Sequence, residues 1–257
     1  MTAQARTQQT NKQDITIQNV QKYFVVGDQT VAVLKGVSFS VKTGDFLVIF
    51  GPSGCGKSTL LHVLLGLEPP TQGKVNVLGR DLYSLAEDQK ADFRKRHIGM
   101  VYQQPHWIKS LNVIENVAFP LAMVGASEQE RASKAQELLQ MVQMEQWAEY
   151  LPSELSSGQQ QRISLARALI SNPELIIADE PTGNLDYESG LQLMDLLKTI
   201  NDYTGKTVLM VTHDLEYMRY AKKAIRMLDG QIVEEMDGAA TRNFLKSLQS
   251  KRGENHV

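Results

Sequence analysis

The chain has 257 residues, 42% hydrophobic and 22% charged, enough to bury a sizeable core as one large domain or one domain with an inserted lobe. Its net charge of −2 gives no global basic field, which argues against nucleic acid or anionic lipid as a partner. The single cysteine, Cys55, excludes a disulfide framework and suits a reducing cytosol. No apolar run reaches the ~18 residues of a membrane span, and no secretory leader is visible.

Residues 1–13 carry no large apolar side chain beyond Met1 and read as a disordered polar tail. Asp14–Val20 and Val31–Val41 alternate apolar and polar residues, as half-buried strands do, with Gly27-Asp28 as the turn signal between them. The apolar run ending at Phe50 leads directly into Gly51-Pro-Ser-Gly-Cys-Gly-Lys-Ser58, which fills G-x-x-x-x-G-K-[ST] in the order strand, loop, helix. Glycines 51, 54 and 56 let the backbone curl around a polyphosphate with its N–H groups inward. The helix dipole and the Lys57 ammonium add positive charge. A nucleoside triphosphate is the expected ligand. Cys55 sits among these glycines and has two readings: a thiol activated by Lys57 and the helix start, or a buried inert one.

The P-loop helix runs from Lys57 to about Leu67. Pro69-Pro70 and Gly73 break the chain, and Lys74–Val77 reads as a short strand. From about Ile98 to Ile170 helical patterns take over; Ser127 to Glu130 has capping-box spacing, followed by Ala135, Leu138, Leu139 and Val142. Leu155-Ser-Ser-Gly-Gln-Gln-Gln-Arg162 starts another helix, with Ser156 and Gln159 spaced as a capping box and exposed N–H donors as a second anion site. Leu175–Ala178 and Thr207–Val211 are continuous apolar runs, the mark of parallel strands buried on both faces. Ile225–Val233 folds back at Asp229-Gly230, a pair suited to a type I′ turn. Beyond Arg242 the chain is polar, and Phe244, Leu245 and Leu248 suit one short helix.

The strand ending at Ala178 is followed by two acids. Asp179 suits a Mg²⁺ ion held with the Ser58 hydroxyl, and Glu180 suits a base that orients and deprotonates a water in line with a γ-phosphate.

Taken in order, GPSGCGKST at 51–59, VYQQP at 101–105, LSSGQQQR at 155–162, LIIADEPTGNLD at 175–186 and VTHD at 211–214 resemble the ATP-binding subunits of ABC transporters, over about Asp14 to Met236. The resemblance implies an α/β fold: a P-loop NTPase core of RecA type with an antiparallel β subdomain and an inserted α-helical subdomain. It implies one nucleotide-binding domain over 14–238, with the helical subdomain at about 98–170 and a polar tail at 239–257. It implies ATP and Mg²⁺ as cofactors, and two copies of the chain paired head to tail. Each ATP would lie between the P-loop of one copy (Gly51, Ser53, Gly54, Cys55, Gly56, Lys57, Ser58, Thr59) and Ser156, Ser157, Gly158 and Gln159 of the other.

By the same resemblance Gln103 is the Q-loop glutamine that touches Mg²⁺ and relays to a membrane subunit. Asp186 is the D-loop aspartate across the interface, and His213 the switch histidine at the γ-phosphate. The adenine partner is an aromatic shortly before Gly27, Phe24 in preference to Tyr23. Ser157 departs from the family, which has glycine there. It is strained if its backbone is left-handed and harmless if helical.

TGNLD, PSEL at 152–155 and the short C-terminus resemble the branch of lipoprotein-releasing, macrolide-efflux and antimicrobial-peptide-export ATPases and the cell-division ATPase. That places the chain at the cytoplasmic face of the inner membrane, held by two permease subunits and driving export or mechanical pulling. The alternative is a regulatory ATPase of a cell-wall or signalling complex that transports nothing. Trp107 and Ile108, after the Q-loop, read either as a permease contact or as packing within the helical lobe.

Overall fold

The computed structural model describes residues 14–254, with side chains to Ser247; the expected tail at 1–13 and the packing of Leu248 lie outside the described residues. Strands β1 (Ile15–Val26) and β2 (Gln29–Val41) form an antiparallel hairpin across the two-residue turn Gly27-Asp28. β3 (Phe46–Phe50) is buried at every position and delivers the chain to the P-loop and to α1 (Lys57–Leu64). β4 (Gln72–Val77) and β5 (Arg80–Asp81) return to the hairpin, giving an antiparallel sheet in the order β2-β1-β4-β5.

Helix α2 (Glu87–His97) carries Glu87 and Asp88 in its first turn and Arg94, Lys95, Arg96 and His97 in its last, matching the helix dipole at both ends. It runs directly into β6 (Ile98–Tyr102), an edge strand of the central sheet paired parallel to β7 (Leu175–Asp179). The expected helical subdomain starting at Ile98 therefore begins too early: residues 98–102 belong to the α/β core. Gly99 explains the weak strand signal, because a Cβ there would lie 2.2 Å from the Ala168 carbonyl oxygen. Glycine is disfavoured by strand propensity, but here it permits close approach.

Beyond β6 come α3 (Val113–Ala122), α4 (Glu128–Met141) and α5 (Ser157–Leu169), then α6 (Tyr187–Thr204) after β7. β8 (Thr207–Thr212), β9 (Lys223–Leu228) and β10 (Gln231–Asp237) complete the central sheet, ordered β10-β9-β3-β8-β7-β6, parallel except for β10. Asp229 and Gly230 both have positive φ, as a type I′ turn requires. Within the polar C-terminal stretch the short helix expected around Phe244 and Leu245 is α7 (Gly238–Glu254), longer than expected; both residues pack on the core, with the Phe244 and Phe50 rings 6.1 Å apart.

Period-two alternation in the buried strands feeds two cores. Phe46, Val48, Phe50, Ile176, Ala178, Val208 and Met210 face one cluster with the helical insertion, α5 and α6. Leu47, Ile49, Leu175, Ile177, Leu209 and Val211 face the other, with α1 and the antiparallel sheet. This sandwich fixes the carboxyl ends of β3, β7 and β8 at one edge, where open α/β sheets bind ligands.

One buried polar residue sets the segment after Gln103. Asn116, fully buried on α3, donates to the carbonyls of Ile108, Leu111 and Asn112 and accepts from the Ile108 N–H at 2.9 Å. Truncating it takes the side-chain partner from the Ile108 N–H and the Leu111 carbonyl, while the Ile108 and Asn112 carbonyls keep backbone donors, so Asn116→Ala is expected to lower stability by about 2 kcal/mol. Urea unfolding checks this, and a midpoint unchanged from the parent contradicts it.

Candidate functional site

Between β3 and α1 the loop turns left-handed at Gly54 (φ 79) and Gly56 (φ 102), conformations that a Cβ would strain. Gly56 is the N-cap of α1 and no side chain caps the helix, so the first N–H groups of α1 are open to an anion. Lys57 is buried; its Nζ donates to the carbonyls of Gly51 at 2.8 Å and Pro52 at 3.0 Å. Ser53, Gly54, Gly56, Lys57, Ser58 and Thr59 line a cavity of about 270 Å³ together with Val33 and Glu180. Gly51 and Cys55 stand behind it. The Cys55 thiol is buried in the apolar cluster under the loop, its N–H donates to the Pro52 carbonyl, and its own carbonyl accepts from Gly230. The structure thus favours the inert reading of Cys55: its thiol is buried and does not line the cavity.

Glu180 reaches the cavity through a backbone bend. Its φ of 44° is left-handed, held by its N–H donating to the Val211 carbonyl and its own carbonyl accepting from Gly183. Such strain on a non-glycine residue costs about 1–3 kcal/mol and persists where the surroundings impose it. The exposed His213 ring places Nδ1 2.7 Å from Glu180 Oε2. Two residues that are 33 apart in sequence thus meet at the ends of adjacent strands β7 and β8.

Asp179 closes β7. Burial pushes its carboxyl above the ordinary aspartate range, the charge of Glu180 pushes it further, and His62 and Lys57 pull it partly back. The Ser58 hydroxyl, the Asp179 carboxylate and the Gln103 amide oxygen are hard oxygen donors of the kind Mg²⁺ takes, and a divalent cation would favour the charged form of Asp179. Among the described residues no cluster of three acids, histidines or cysteines could hold a metal alone.

Gln103 lies outside the P-loop cavity. It lines a second cleft of about 300 Å³ with Ser157, Gln161, Asn184 and Leu185, and its amide packs so closely on Gly183 that a Cβ there would lie 2.7 Å from Nε2. Ser156 caps α5: its hydroxyl accepts from Gln159 N–H, and Gln159 Oε1 accepts from Ser156 N–H at 2.8 Å. None of Ser156, Ser157, Gly158 and Gln159 lines the P-loop cavity of its own chain. Asp186 caps α6, accepting from the N–H and hydroxyl of Ser189, and these bonds hold its carboxyl below the usual range.

In the hairpin, Lys22 pairs with Leu34, Tyr23 with Ala32 and Phe24 with Val31, so Lys22, Phe24 and Leu34 share a face. Leu34 abuts Gly56, and the Lys22 ammonium lies 4.9 Å from the Phe24 ring centroid. Tyr23 turns the other way, donating to Gln21. Phe24 packs against Lys22, whose ammonium donates to the Pro69 carbonyl and pairs with Glu68, and it does not line the P-loop cavity.

Ser157 is the first residue of α5 and is absent from the positive-φ residues, so it carries no left-handed strain. Ser157→Gly is expected to change turnover by less than about tenfold, or 1.4 kcal/mol in barrier. At Gly158 a Cβ would lie 3.0 Å from Ser189 Oγ, and Gly158→Asp adds a carboxylate at an anion site. Turnover should vanish in that variant. Steady-state ATPase assays separate the two, and an enzyme nearly dead until Ser157 becomes Gly contradicts the helical reading.

The sequence reading missed Gln161, which is buried and bonded to the Tyr102 and Pro181 carbonyls. The available signal was a polar residue on the buried stripe of α5, four before Leu165 and seven before Ala168. Trp107 is half-buried, its Nε1 donating to Gln160 Oε1 at 2.8 Å under the Arg167 guanidinium. Ile108 lines a neighbouring groove of about 390 Å³ with Met100, Phe119, Pro120, Met123 and Arg167.

Residues 34–183 match the family described as ABC transporter. An uncharacterised ABC transporter ATP-binding protein of Methanocaldococcus jannaschii, MJ1508, is 44% identical over 220 residues, covering 86% of this chain and 98% of its own. The macrolide export ATP-binding/permease protein MacB of Mannheimia succiniciproducens is 39% identical over 237 residues; the match covers 92% of this chain and only 36% of that longer protein. Among solved structures, the ATP-binding cassette MJ0796, dimeric in a post-hydrolysis state with ADP and Pi, superposes with a TM-score of 0.81 at 39% identity, covering 87% of this chain and 98% of that one. The resemblance read from the motifs holds at the level of whole-chain sequence and fold. This chain belongs to the ABC transporter family, as an ATP-binding cassette that hydrolyses ATP.

Proposed function

We propose that two copies of this chain close head to tail around two ATP molecules and drive a pair of permease subunits. The observation that carries this reading is the convergence of Glu180 on the cavity lined by the P-loop, while Ser156–Gln159 lie outside it. A phosphate in the cavity meets the open N–H groups of α1 and the Lys57 ammonium, and Phe24 offers a face to adenine. Ser58 and Asp179 would hold Mg²⁺, joined by Gln103 only after its amide turns out of its own cleft, and the ion when bound neutralises charge developing on the phosphates. Glu180 orients and deprotonates the attacking water, and His213 holds the Glu180 carboxylate from its other side. The N-terminus of α5 and Asp186 of the second copy complete each site. Hydrolysis removes the bridging γ-phosphate and lets the copies part.

The groove beside Ile108 is the proposed permease contact, bounded by apolar Met100, Phe119 and Met123. No described helix is long and apolar enough to cross a membrane, so the chain would reach the cytoplasmic face of the inner membrane through this contact. Likeness to the export branch favours export or mechanical pulling as the output. Phe119 is 40% and Met123 56% exposed, so replacing them with Asp should leave the ATPase of the isolated chain within about twofold of the parent. Co-purification with the permease should fall at least about tenfold, as expected for a buried interface core. Undiminished co-purification would place the permease contact elsewhere.

A further inference from the structure

Gln161 sits at the meeting point of three segments that the proposed mechanism uses separately. It is 2% exposed, and its single amide nitrogen donates to the carbonyl of Tyr102 at 2.8 Å and to that of Pro181 at 2.7 Å. Tyr102 immediately precedes Gln103, and Pro181 immediately follows Glu180. The other end of the same amide, Oε1, is buried and accepts no hydrogen bond among the described residues. Interiors seldom keep a buried acceptor unpaired, and each exception calls for a physical reason. A Met or Leu would fill this position on the apolar stripe without leaving such an acceptor.

The helix supplies the link. Gln161 lies five residues beyond Ser156, roughly 7 Å along a rigid α5, so a shift of the helix N-terminus must move the amide. The neighbouring residue adds a second tie: Gln160 donates to the Leu155 carbonyl at 3.0 Å and accepts from Trp107. Gln103 and Asn184 are joined in turn, Asn184 Nδ2 donating to the Gln103 carbonyl at 3.3 Å.

We propose that Gln161 is a positioning residue which couples the N-terminus of α5 to Gln103 and Glu180 of its own chain. Engagement of α5 by the ATP of the second copy would then set the hydrolytic groups of the first, so that the two sites act together. This inference rests on the proposed sandwich and on the roles given there to Gln103 and Glu180.

The test uses the full chain with Gln161→Met, which keeps length and packing but removes both donors, and Gln161→Glu, which turns a carboxylate toward the two carbonyls. ATP hydrolysis is measured against ATP concentration below the unfolding temperature of each variant. We expect kcat to fall between roughly tenfold and a hundredfold, as small misplacements of catalytic groups do. KM should stay within about twofold, and the Hill coefficient should drop toward one. If Gln161→Glu does not fold, Gln161→Met carries the test. A lower Tm with unchanged kcat and Hill coefficient would reduce Gln161 to a structural staple and overturn the proposal. Glu180→Gln, assayed in parallel, separates the levels. If it still turns over, the underlying mechanism fails; if it is inactive while Gln161→Met matches the parent, only the coupling role fails.

Discussion

Glu180→Gln is expected to bind ATP with near-parent affinity while its turnover falls about a thousandfold, within the range that general bases contribute. The amide keeps the shape of the carboxylate and its place on the P-loop cavity, but it cannot take the proton of the attacking water. His213 Nδ1 loses a charged partner at 2.7 Å, and because the ring is exposed this costs little stability. The left-handed backbone at residue 180 accommodates Gln as it does Glu, so the fold should be unaffected. A fluorescent ATP analogue reports binding and phosphate release reports turnover. Hydrolysis at the parent rate would remove Glu180 from the role of base.

Lys57→Ala should damage binding and chemistry together. The Lys57 ammonium is buried and already fixed over the loop by the carbonyls of Gly51 and Pro52, so its charge is in place before phosphate arrives. Each charge-assisted hydrogen bond lost is worth about 1.5–3 kcal/mol, so two lost contacts weaken ATP binding about a hundredfold or more. Turnover at saturating ATP should drop a further hundred- to thousandfold, roughly the effect of removing one preorganised donor from a developing charge. Titration calorimetry checks the affinity, and circular dichroism verifies that the two sheets survive. Unchanged affinity would mean that Lys57 does not face phosphate.

What the sequence made legible follows from where its signals are local. β3, β7 and β8 show as continuous apolar runs because both faces of each are buried, and the P-loop shows because its glycines stand within one unbroken eight-residue motif, where Gly54 and Gly56 take left-handed φ. The two-residue turns at Gly27-Asp28 and Asp229-Gly230 are likewise short-range. β6 was hidden because five residues containing Gly99 follow a charged helix with no break between them. α6 went unread although Leu193, Met194, Leu197 and Ile200 recur at helical spacing; the acids at 179, 180 and 186 drew the functional reading instead.

The site was read residue by residue from motifs, but its geometry is tertiary. Nothing near Glu180 in sequence announces its positive φ or its contact with His213. The two acceptors of Gln161 lie 59 and 20 residues away, beyond the reach of any local pattern. Cys55 left two readings in sequence, an activated thiol or a buried inert one, and packing beneath the loop, which no local pattern reveals, favours the second.

The central claim, that ATP is bound between two copies of this chain, is tested most directly by gel filtration of Glu180→Gln with Mg-ATP, with ADP, and after adding Gly158→Asp. The account predicts a dimer with ATP and a monomer with ADP. It also predicts a monomer for the double variant even with ATP, because a carboxylate at residue 158 faces the phosphates of the partner site. A chain that binds ATP yet elutes as a monomer, or a dimer indifferent to both nucleotide and Gly158→Asp, would contradict it.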